Sequence, residues 1–372
     1  MYWNTNMKIL VTGANGFIGK NLCLKLSELG YQDVIKIDRT NSDSELNLAL
    51  KEADFIFHLA GINRPKTEEE FYIGNSGLTE KITATLESLG RATPILLTSS
   101  IQADRDNAYG LSKASAEQAI SAYQKKLNAD VFIYRLPNVF GKWCKPNYNS
   151  MIATFCYNVV NDLPIEIHDG STLVNLVYID DVCEQFCLHL TQANVDTVVE
   201  PVYKKTVGEV AEQLNKFKHS KDSLITENVG KGFTRALYST YLSYFEPEQF
   251  FYDVPAYTDP RGTFCEMLKT PNAGQFSYFT AHPSITRGGH YHHTKNEKFL
   301  VIKGKANFRF ENVLSGQKEE LIVSADQHRI VETVPGWSHD VTNIGDEELI
   351  VMLWANEIFD REKPDTITKE IK

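Results

Sequence analysis

The sequence is poor in cysteine and holds no pattern of paired thiols. Its six cysteines include no Cys-x-x-Cys pair and stand at Cys23, Cys144, Cys156, Cys183, Cys187 and Cys265. Scattered thiols of this kind are typical of reduced cytoplasmic proteins. Cys183 and Cys187 lie one helical turn apart, and we interpret them as small buried residues rather than as a metal or redox pair.

Long apolar runs and clustered positive charge are also missing. No segment is apolar over the length that crosses a bilayer, and residues 1–6 lack the basic cluster and apolar core of a signal peptide. The chain has 38 Lys and Arg against 48 Asp and Glu, a formal net charge of −10. This balance argues against nucleic acid, because phosphate contacts need concentrated cations. We therefore expect a cytoplasmic protein without membrane or nucleic-acid partners, in which an anionic small substrate is held by local donors.

The first part of the chain alternates short strands with helical stretches. At 372 residues the chain has room for roughly two domains. The predicted strands of the first part cover residues 8–12, 33–37, 54–59, 95–99 and 131–135. Strands separated by helices predict an α/β doubly wound parallel sheet of the Rossmann-like type. Helical and loop patterns continue to about Tyr244.

After Phe245 the character of the chain changes to short strands joined by Gly, Asn, Asp and Pro turns. Strands are predicted at residues 299–302, 306–310, 320–323 and 349–354. This pattern predicts an all-β barrel or sandwich. We place the domain boundary after residue 246, which gives domains of residues 1–246 and 247–372.

A glycine-rich loop follows the first predicted strand and opens the first helix. It runs Gly13, Ala14, Asn15, Gly16, Phe17, Ile18 and Gly19. Glycines permit a tight turn and close backbone approach, so that a pyrophosphate can sit on the free N–H groups at the helix amino terminus. A glycine triplet alone is weak evidence, but here the strand, the helix and the position near the start of the chain agree.

Two residues at the end of the second strand bear on the choice of dinucleotide. Asp38 is placed to take the ribose hydroxyls of NAD, whereas Arg39 can neutralise the 2′-phosphate of NADP. Arg39 as a solvated turn residue is an equal alternative. We favour NADP.

Three further residues form a candidate proton-transfer group. Tyr109 and Lys113 stand four apart on one face of a predicted helix, and Ser100 closes the preceding strand. A lysine charge favours phenolate, so we expect Lys113 to lower the pKa of Tyr109. Tyr109 can then protonate a substrate oxygen as hydride reaches the attached carbon, while Ser100 steadies that oxygen.

A second, unrelated constellation lies in the barrel part. His290 and His292 are two apart, so that they face the same way from one strand. Glu297 is expected to join them from the same hairpin, and His339 follows the Pro335-Gly336 turn. Three nitrogens and one carboxylate predict one divalent ion, with zinc favoured and iron, nickel or manganese open. His282 and His293 are interpreted as structural histidines.

The motifs of the first two thirds resemble the extended short-chain dehydrogenase/reductase family, which works on nucleotide sugars. The matching pieces are TGANGFIG, HLAG at 58–61, Asn75, TSS at 98–100, YGLSK at 109–113, RLPN at 135–138 and VYIDDV at 177–182. The resemblance implies that Leu59, Ala60, Lys113 and Leu136 also contact the cofactor. Ile101-Gln102 stands where dehydratases of the family carry an Asp-Glu pair, so dehydration is not expected. Val174 replaces the family's usual arginine, which leaves the diphosphate anchor unassigned.

The barrel part resembles the cupin pattern HxH, Glu, Gly304 and a later Gly-x-x-His with Asn343, although position 284 is Ser where the pattern has Gly. The order of the two parts, with GKWCKPNYNS at 141–150, YSTYLSY at 238–244 and HHTKNEKFLV at 292–301, resembles the CapF-type family of bifunctional capsular polysaccharide enzymes. This resemblance spans Met7 to about Phe359, which lies outside the residues described below.

The family resemblance implies a UDP-sugar substrate, NADPH, a homodimer or higher homo-oligomer, and two steps. The cupin part would invert C3 of a UDP-2-acetamido-2,6-dideoxy-4-hexulose, and the reductase part would reduce its C4 ketone. Three alternatives stay open: a reductase with a structural cupin module, a UDP-sugar 4-epimerase that retains NAD, and a non-enzymatic nucleotide sensor.

The pair Asp38 and Arg39 generates a first prediction. We expect a higher kcat/KM with NADPH than with NADH, because a guanidinium beside the ribose stabilises a 2′-phosphate. Initial rates with each reduced dinucleotide measure the ratio. A preference for NADH would assign the ribose contact to Asp38 alone.

Overall fold

The chain folds into two compact units. In this computed structural model, residues 6–192, 194–254, 256–259, 262–265, 268, 274–357 and 362–372 are described. One unit comprises Met1–Met151 and Val174–Lys205, and the other Ile152–Leu173 and Thr206–Lys372. The predicted boundary after residue 246 falls inside the second unit, between its helices and its barrel strands, and stays a prediction.

The helices are numbered in chain order. α1 to α9 are Phe17–Glu28, Asp43–Glu52, Glu69–Phe71, Leu78–Ser88, Ala108–Leu127, Met151–Val160, Ile179–Leu188, Val207–Ser223 and Gly232–Leu242. A π-helix, Tyr72–Gly77, continues α3, and short 3-10 helices lie at Ile101–Asp104, Pro247–Gln249 and Ala325–Gln327. None of the helices in this described part of the chain combines the length and apolarity that a membrane span requires.

The strands are likewise numbered in chain order. β1 to β10 are Ile9–Thr12, Val34–Ile37, Phe55–His58, Ile95–Ser100, Val131–Leu136, Asn138–Phe140, Leu173–Tyr178, Tyr203–Thr206, Phe251–Asp253 and Ala256–Asp259. β11 to β20 are Gly262–Cys265, Gln275–Ala281, Thr286–Tyr291, Glu297–Lys303, Lys305–Asn312, Lys318–Ser324, Arg329–Glu332, Trp337–Asn343, Leu349–Ala355 and Ile367–Thr368.

The first five strands form one parallel sheet in the order β2-β1-β3-β4-β5. β1, β3 and β4 are buried along their whole length, as strands covered by helices on both faces must be. The chain moves to one side of β1 for β2 and to the other side for β3, so the carboxyl ends of β1 and β3 border the crevice where such sheets bind ligands. All five predicted strands agree with the observed ones to within one residue at each end.

The hydrophobic core on this sheet fixes the helix that carries Tyr109 and Lys113. Leu10 and Ile95 of the strands pack with Ile82 of α4 and Ile120 of α5, and each is 0% exposed. Asn107 caps α5 by accepting a hydrogen bond from Gly110 N at 2.8 Å. The first turn of α5 is therefore held at the end of the sheet.

A small sheet of β6, β7 and β8 was not predicted. Helical and loop patterns were expected as far as Tyr244, yet three short strands interrupt them. β6 has three residues, and the four residues of β8 include Lys204 and Lys205. Short strands with charged side chains show too little alternation to be recognised from sequence.

The second unit contains two five-stranded antiparallel sheets, ordered β12-β19-β14-β17-β9 and β16-β15-β18-β13-β20. Phe299 of β14 and Phe308 of β15, one from each sheet, have ring centroids 5.6 Å apart, so the sheets share one core. Trp354 and Val351 of β19 are fully buried. The predicted fold class, a doubly wound parallel sheet followed by an all-β barrel, is confirmed.

A reciprocal cap defines where α8 begins. Thr206 Oγ1 accepts from Glu209 N at 3.1 Å, and the Glu209 carboxylate accepts from Thr206 N at 2.7 Å. Two backbone donors that an isolated helix leaves unpaired are thereby satisfied.

We expect Thr206→Ala to lower the free energy of unfolding by about 1 kcal/mol, because the N-cap acceptor is lost. Urea unfolding followed by circular dichroism measures the difference. Thr206→Ser is the matched control and should retain the stability of the unaltered protein. Equal stability of the alanine variant would contradict the capping role.

Candidate functional site

The glycine loop connects β1 to α1 through a turn that only glycine fits. Gly13 has φ of +69°, and a Cβ there would lie 2.8 Å from the Ala60 backbone. A Cβ at Gly19 would collide with the carbonyl oxygen of Gly13. The two glycines therefore permit the turn and the close packing of α1 against it, as predicted.

The amino terminus of α1 lies at the end of this turn. Gly16 is the N-cap residue, and no side chain caps the helix. Phe17 and Ile18 form the first turn and are partly buried. Their backbone N–H groups and the helix dipole favour an anion, so this terminus can hold a pyrophosphate.

The residues at the end of β2 lie beside the loop. Asn15 Nδ2 donates a hydrogen bond to Asp38 Oδ2. Asp38 Oδ1 accepts from the Thr40 hydroxyl at 2.6 Å and from Thr40 N at 2.8 Å, and these bonds lower the pKa of the exposed Asp38 carboxyl. Arg39 is exposed next to it. The ionised carboxylate of Asp38 and the exposed guanidinium of Arg39 can therefore both contact a bound ribose.

The segment after β3 faces the same edge of the sheet. Leu59 N donates to Thr12 O and Ala60 N to Thr12 Oγ1, both at 3.3 Å. Leu136, at the end of β5, is buried and pairs in register with Ser100 of β4. The predicted cofactor residues therefore belong to the carboxyl edge of the parallel sheet, to the loops that leave it, or to the first turns of α1 and α5.

The candidate proton-transfer residues come together as predicted. The hydroxyl of Ser100 is hydrogen-bonded to that of Tyr109, and its oxygen also accepts from Gln102 N at 3.1 Å. Lys113 Nζ is buried and donates to Thr98 O at 3.1 Å. Burial lowers the pKa of Lys113 to about 8, against a smaller opposing effect of Glu117.

The expected pKa shift of Tyr109 is wrong in direction. Burial raises the pKa of Tyr109, and this outweighs the lowering by the Ser100 hydrogen bond. The ammonium of Lys113 donates its hydrogen bond to the backbone carbonyl of Thr98, and burial lowers the pKa of Lys113 itself. Tyr109 is therefore a neutral phenol at pH 7, which is the protonation state that a proton donor needs.

Two buried polar residues shape the loop in front of Lys113, and the sequence motifs gave them no role. His58 lies between the hydroxyls of Thr12 and Thr79, at 2.7 and 2.9 Å, and burial lowers its pKa to about 3. Asn75 bonds both Ile62 N and Ile62 O, at 2.8 and 3.0 Å. Both residues lie within recognised sequence motifs. Their hydrogen-bond partners, however, come from distant parts of the chain, so the motifs alone do not reveal this role.

The barrel brings His290, His292, Glu297 and His339 together, as predicted. Their ligand atoms all lie within 4.8 Å of one another. His290 of β13 pairs in register with His339 of β18. Glu297, however, begins β14 of the facing sheet, so the expected hairpin with His290 is wrong. The chain crosses from one sheet to the other between residues 291 and 297, which is why the ligands converge in the interior.

Backbone carbonyls fix the tautomers of two of these histidines. His292 Nδ1 lies against Asp365 O, and His339 Nδ1 lies 3.3 Å from Trp337 O. A carbonyl only accepts, so each Nδ1 carries the proton and each Nε2 presents a lone pair. Both Nε2 atoms are 3.4 Å from Glu297 Oε2. Three electron-rich atoms thus face one another without a hydrogen between them, an arrangement that fits a cation.

Burial keeps two of these histidines, His290 and His339, neutral. It lowers the pKa of His290 to about 3, with His339 and His292 adding to the effect, and it lowers the pKa of His339. Neutral imidazole is the form that binds metal. Lys295, which the sequence did not single out, lies with Nζ 2.8 Å from Glu297 Oε1 and neutralises that oxygen.

The remaining histidines and the turn residues lie outside the ligand group. His293 is half-buried with its ring 5.7 Å from that of Tyr291, and His282 is exposed. Ser284 has φ of +67°, and Gly304 and Gly336 have φ of +85° and +78°. A left-handed backbone explains why glycine suits position 284 and why Ser there affects a turn and not a ligand.

Comparison with known proteins places the chain in a family. Residues 9–201 match the NAD dependent epimerase/dehydratase family, and residues 257–367 match the polysaccharide biosynthesis C-terminal domain. The chain belongs to the NAD dependent epimerase/dehydratase family, and it is an oxidoreductase that uses a nicotinamide cofactor.

The similarity extends over the whole chain in two of the matches. The chain is 56% identical to the UDP-2-acetamido-2,6-beta-L-arabino-hexul-4-ose reductase of Pseudomonas aeruginosa, over 97% of this chain and 98% of that one. The crystal structure of the capsular polysaccharide assembling protein CapF from Staphylococcus aureus is 41% identical, with a TM-score of 0.68 over 98% of this chain and all of that one. The predicted resemblance to this group of proteins is confirmed.

A third match concerns the fold alone. The Bordetella bronchiseptica enzyme WbmF in complex with NAD+ is 18% identical, with a TM-score of 0.51 over 57% of this chain and 78% of that one.

We expect Tyr109→Phe to lower kcat by about 10²- to 10⁴-fold, because the only group removed is the hydroxyl that gives the proton. Dinucleotide binding, measured by fluorescence titration, should be unchanged. Turnover at the rate of the unaltered enzyme would exclude Tyr109 as the donor.

Proposed function

We propose that the protein is a bifunctional UDP-sugar enzyme of capsular polysaccharide precursor synthesis. The barrel epimerises C3 of a UDP-2-acetamido-2,6-dideoxy-4-hexulose, and the parallel-sheet part then reduces the C4 ketone to give UDP-2-acetamido-2,6-dideoxy-L-talose, a precursor of UDP-N-acetyl-L-fucosamine. One observation carries the proposal: both reactive constellations are present in a chain that is 56% identical, over nearly its full length, to a reductase of this substrate class.

In the reduction step the residues of the parallel-sheet part hold the ketone and supply a proton. The glycine loop with Asp38 and Arg39 would hold NADPH, which would supply a hydride to C4. The Tyr109 hydroxyl gives its proton to the ketone oxygen, and Ser100 holds that oxygen as negative charge develops. Lys113 lies one helical turn after Tyr109 on α5 and donates a hydrogen bond to Thr98 O at 3.1 Å. The product is an alcohol, so atoms and charge balance.

In the epimerisation step the four ligands of the barrel would hold one divalent ion. His290, His292, His339 and Glu297 offer three nitrogens and one carboxylate, a set that suits zinc and also iron, nickel or manganese. Such an ion supplies Lewis-acid polarisation of a substrate oxygen. The buried lone pairs of His292 and His339 against Glu297 Oε2, at 3.4 Å each, support this assignment.

The order of the two steps follows from the chemistry of the sugar. A proton on C3 is acidic only while C4 is a carbonyl, because the charge left on C3 spreads onto the ketone oxygen. Once C4 carries a hydroxyl, C3 loses this acidity and its configuration is fixed. Reduction therefore has to follow epimerisation.

Two further properties belong to the proposal. The scattered, buried thiols support a cytoplasmic location: Cys23, Cys183 and Cys187 are buried, and burial raises the pKa of each of these three thiols. The family resemblance supports a homodimer or higher homo-oligomer.

The test of the epimerase is proton exchange at C3 without reduction. Incubated with UDP-2-acetamido-2,6-dideoxy-4-hexulose in heavy water and no NADPH, the full-length protein should place deuterium at C3, because exchange needs only the ketone. Proton NMR of the sugar measures the incorporation. His339→Ala should lose exchange, while Tyr109→Phe should retain it and fail to oxidise NADPH.

Two outcomes would contradict the proposal. Absence of deuterium with the unaltered protein would leave a reductase with a structural barrel. Equal incorporation in His339→Ala would remove the ligand group from the exchange.

A further inference from the structure

The segment that crosses between the two barrel sheets carries two of the four ligands, His292 and Glu297. Its backbone is held from several directions. His292 O accepts from Gly336 N at 3.0 Å, and Glu297 N donates to Thr333 Oγ1 at 2.8 Å. Between these points the chain has no strand partner, so something else must hold residues 293–295.

The carboxylate of Asp365, near the end of the chain, binds the backbone of these residues. Its Oδ1 accepts from His293 N at 2.9 Å, and its Oδ2 accepts from Thr294 N and Lys295 N at 2.6 Å each. The Thr294 hydroxyl adds a fourth bond at 2.9 Å. Successive backbone N–H groups converging on one carboxylate form a concave anion site, and charge-assisted bonds of this kind are strong.

The same residue also contacts a ligand directly. Asp365 O accepts from Nδ1 of His292, so it determines which nitrogen of that ring carries the proton. Nε2 is left free to face Glu297 Oε2 at 3.4 Å. One residue thereby fixes both the path of the crossing segment and the tautomer of its first ligand.

The segment around Asp365 is itself tied to the ligand strand. β20 pairs with β13, with Thr368 opposite His290 and Ile367 opposite Tyr291. Lys369 N donates to Gly289 O at 2.8 Å, and Ile371 is buried. The carboxyl-terminal residues are therefore an added strand beside His290.

Positive charge balances the carboxylate from the other side. Arg235 of α9 lies with its guanidinium 3.9 Å from Asp365 Oδ2 and 3.2 Å from Glu357 Oε2. The Asp365 side chain is 13% exposed, so its charge is largely withdrawn from water and paired within the barrel.

We infer that Asp365 is a positioning residue for the metal centre: its carboxylate anchors residues 293–295, and its carbonyl sets the tautomer of His292. The inference rests on the proposed function only in taking the four ligands to hold an ion. Hydrogen bonds to the non-coordinating nitrogen of a ligand histidine orient the ring and raise its basicity. The catalytic residues of the reductase are not involved.

The test uses the full-length protein with Asp365→Ala, Asp365→Asn and the control Glu370→Gln. Glu370 is exposed in the same carboxyl-terminal strand region, so its replacement removes an equal charge without touching residues 293–295. Zinc affinity is measured by competition with a chromogenic chelator, and amide hydrogen exchange of residues 291–297 is measured by mass spectrometry on protein stripped of metal.

We expect Asp365→Ala to weaken zinc binding by about 10- to 100-fold and to speed exchange of residues 293–295. Asp365→Asn keeps one acceptor oxygen and should lie between Asp365→Ala and the unaltered protein, while Glu370→Gln should match the unaltered protein in both measurements. If Asp365→Ala fails to fold, the asparagine variant decides the question alone.

Unchanged zinc affinity with faster exchange would overturn the positioning role, because Asp365 would then support only the backbone. Unchanged exchange would overturn the anchoring role. Absence of zinc binding by the unaltered protein would defeat the proposed metal centre and with it the positioning role, whereas the anchoring of residues 293–295 by Asp365 would still be decided by the exchange measurement, which needs no metal.

Discussion

The barrel interior is governed by one constraint: lone pairs buried together need a positive charge. The carbonyls of Trp337 and Asp365 place the protons of His339 and His292 on Nδ1, which turns both Nε2 atoms toward Glu297 Oε2. Burying such groups without a partner costs free energy, and burial also disfavours protonating the rings. Strand pairing, the crossing segment and the carboxyl-terminal strand all hold this unfavourable arrangement in place. Under the proposed function, the architecture of the barrel would support a cation at this point.

The parallel-sheet unit satisfies its buried polar groups in a different way. His58 has a hydroxyl on each ring nitrogen, Asn75 bonds both backbone groups of Ile62, and Lys113 donates to Thr98 O. Each of these polar groups finds its hydrogen-bond partners within the protein. The groups lie beneath the edge of the sheet at which the glycine loop opens. Tyr109 remains a protonated phenol beside Ser100 because burial dominates its pKa. Under the proposed function, the site is thus able to give a proton as soon as a substrate binds.

The sequence predicted what local patterns encode. Runs of β-branched residues bounded by turns located the parallel strands, and the spacing of His290 and His292 located the ligands. In the small sheet, β6 and β8 were missed because they are only three and four residues long and β8 is partly charged. The crossing of residues 291–297 was mistaken for a hairpin, since its course depends on Thr333 and Asp365, far away in the chain. The direction of the Tyr109 pKa shift was likewise set by burial, which no spacing reveals.

The composition of the ligand group bears on what the ion can do. Glu297 Oε1 is occupied by Lys295 at 2.8 Å, so only Oε2 faces the histidines and the group offers three nitrogens and one oxygen. Four protein ligands close a tetrahedral zinc site, whereas Lewis-acid catalysis needs an open position. A catalytic ion in this barrel must therefore accept a fifth ligand, and a purely structural ion need not. The coordination number of the ion, more than the identity of the metal, therefore separates a barrel that acts as an epimerase from one in which the ion only stabilises the fold.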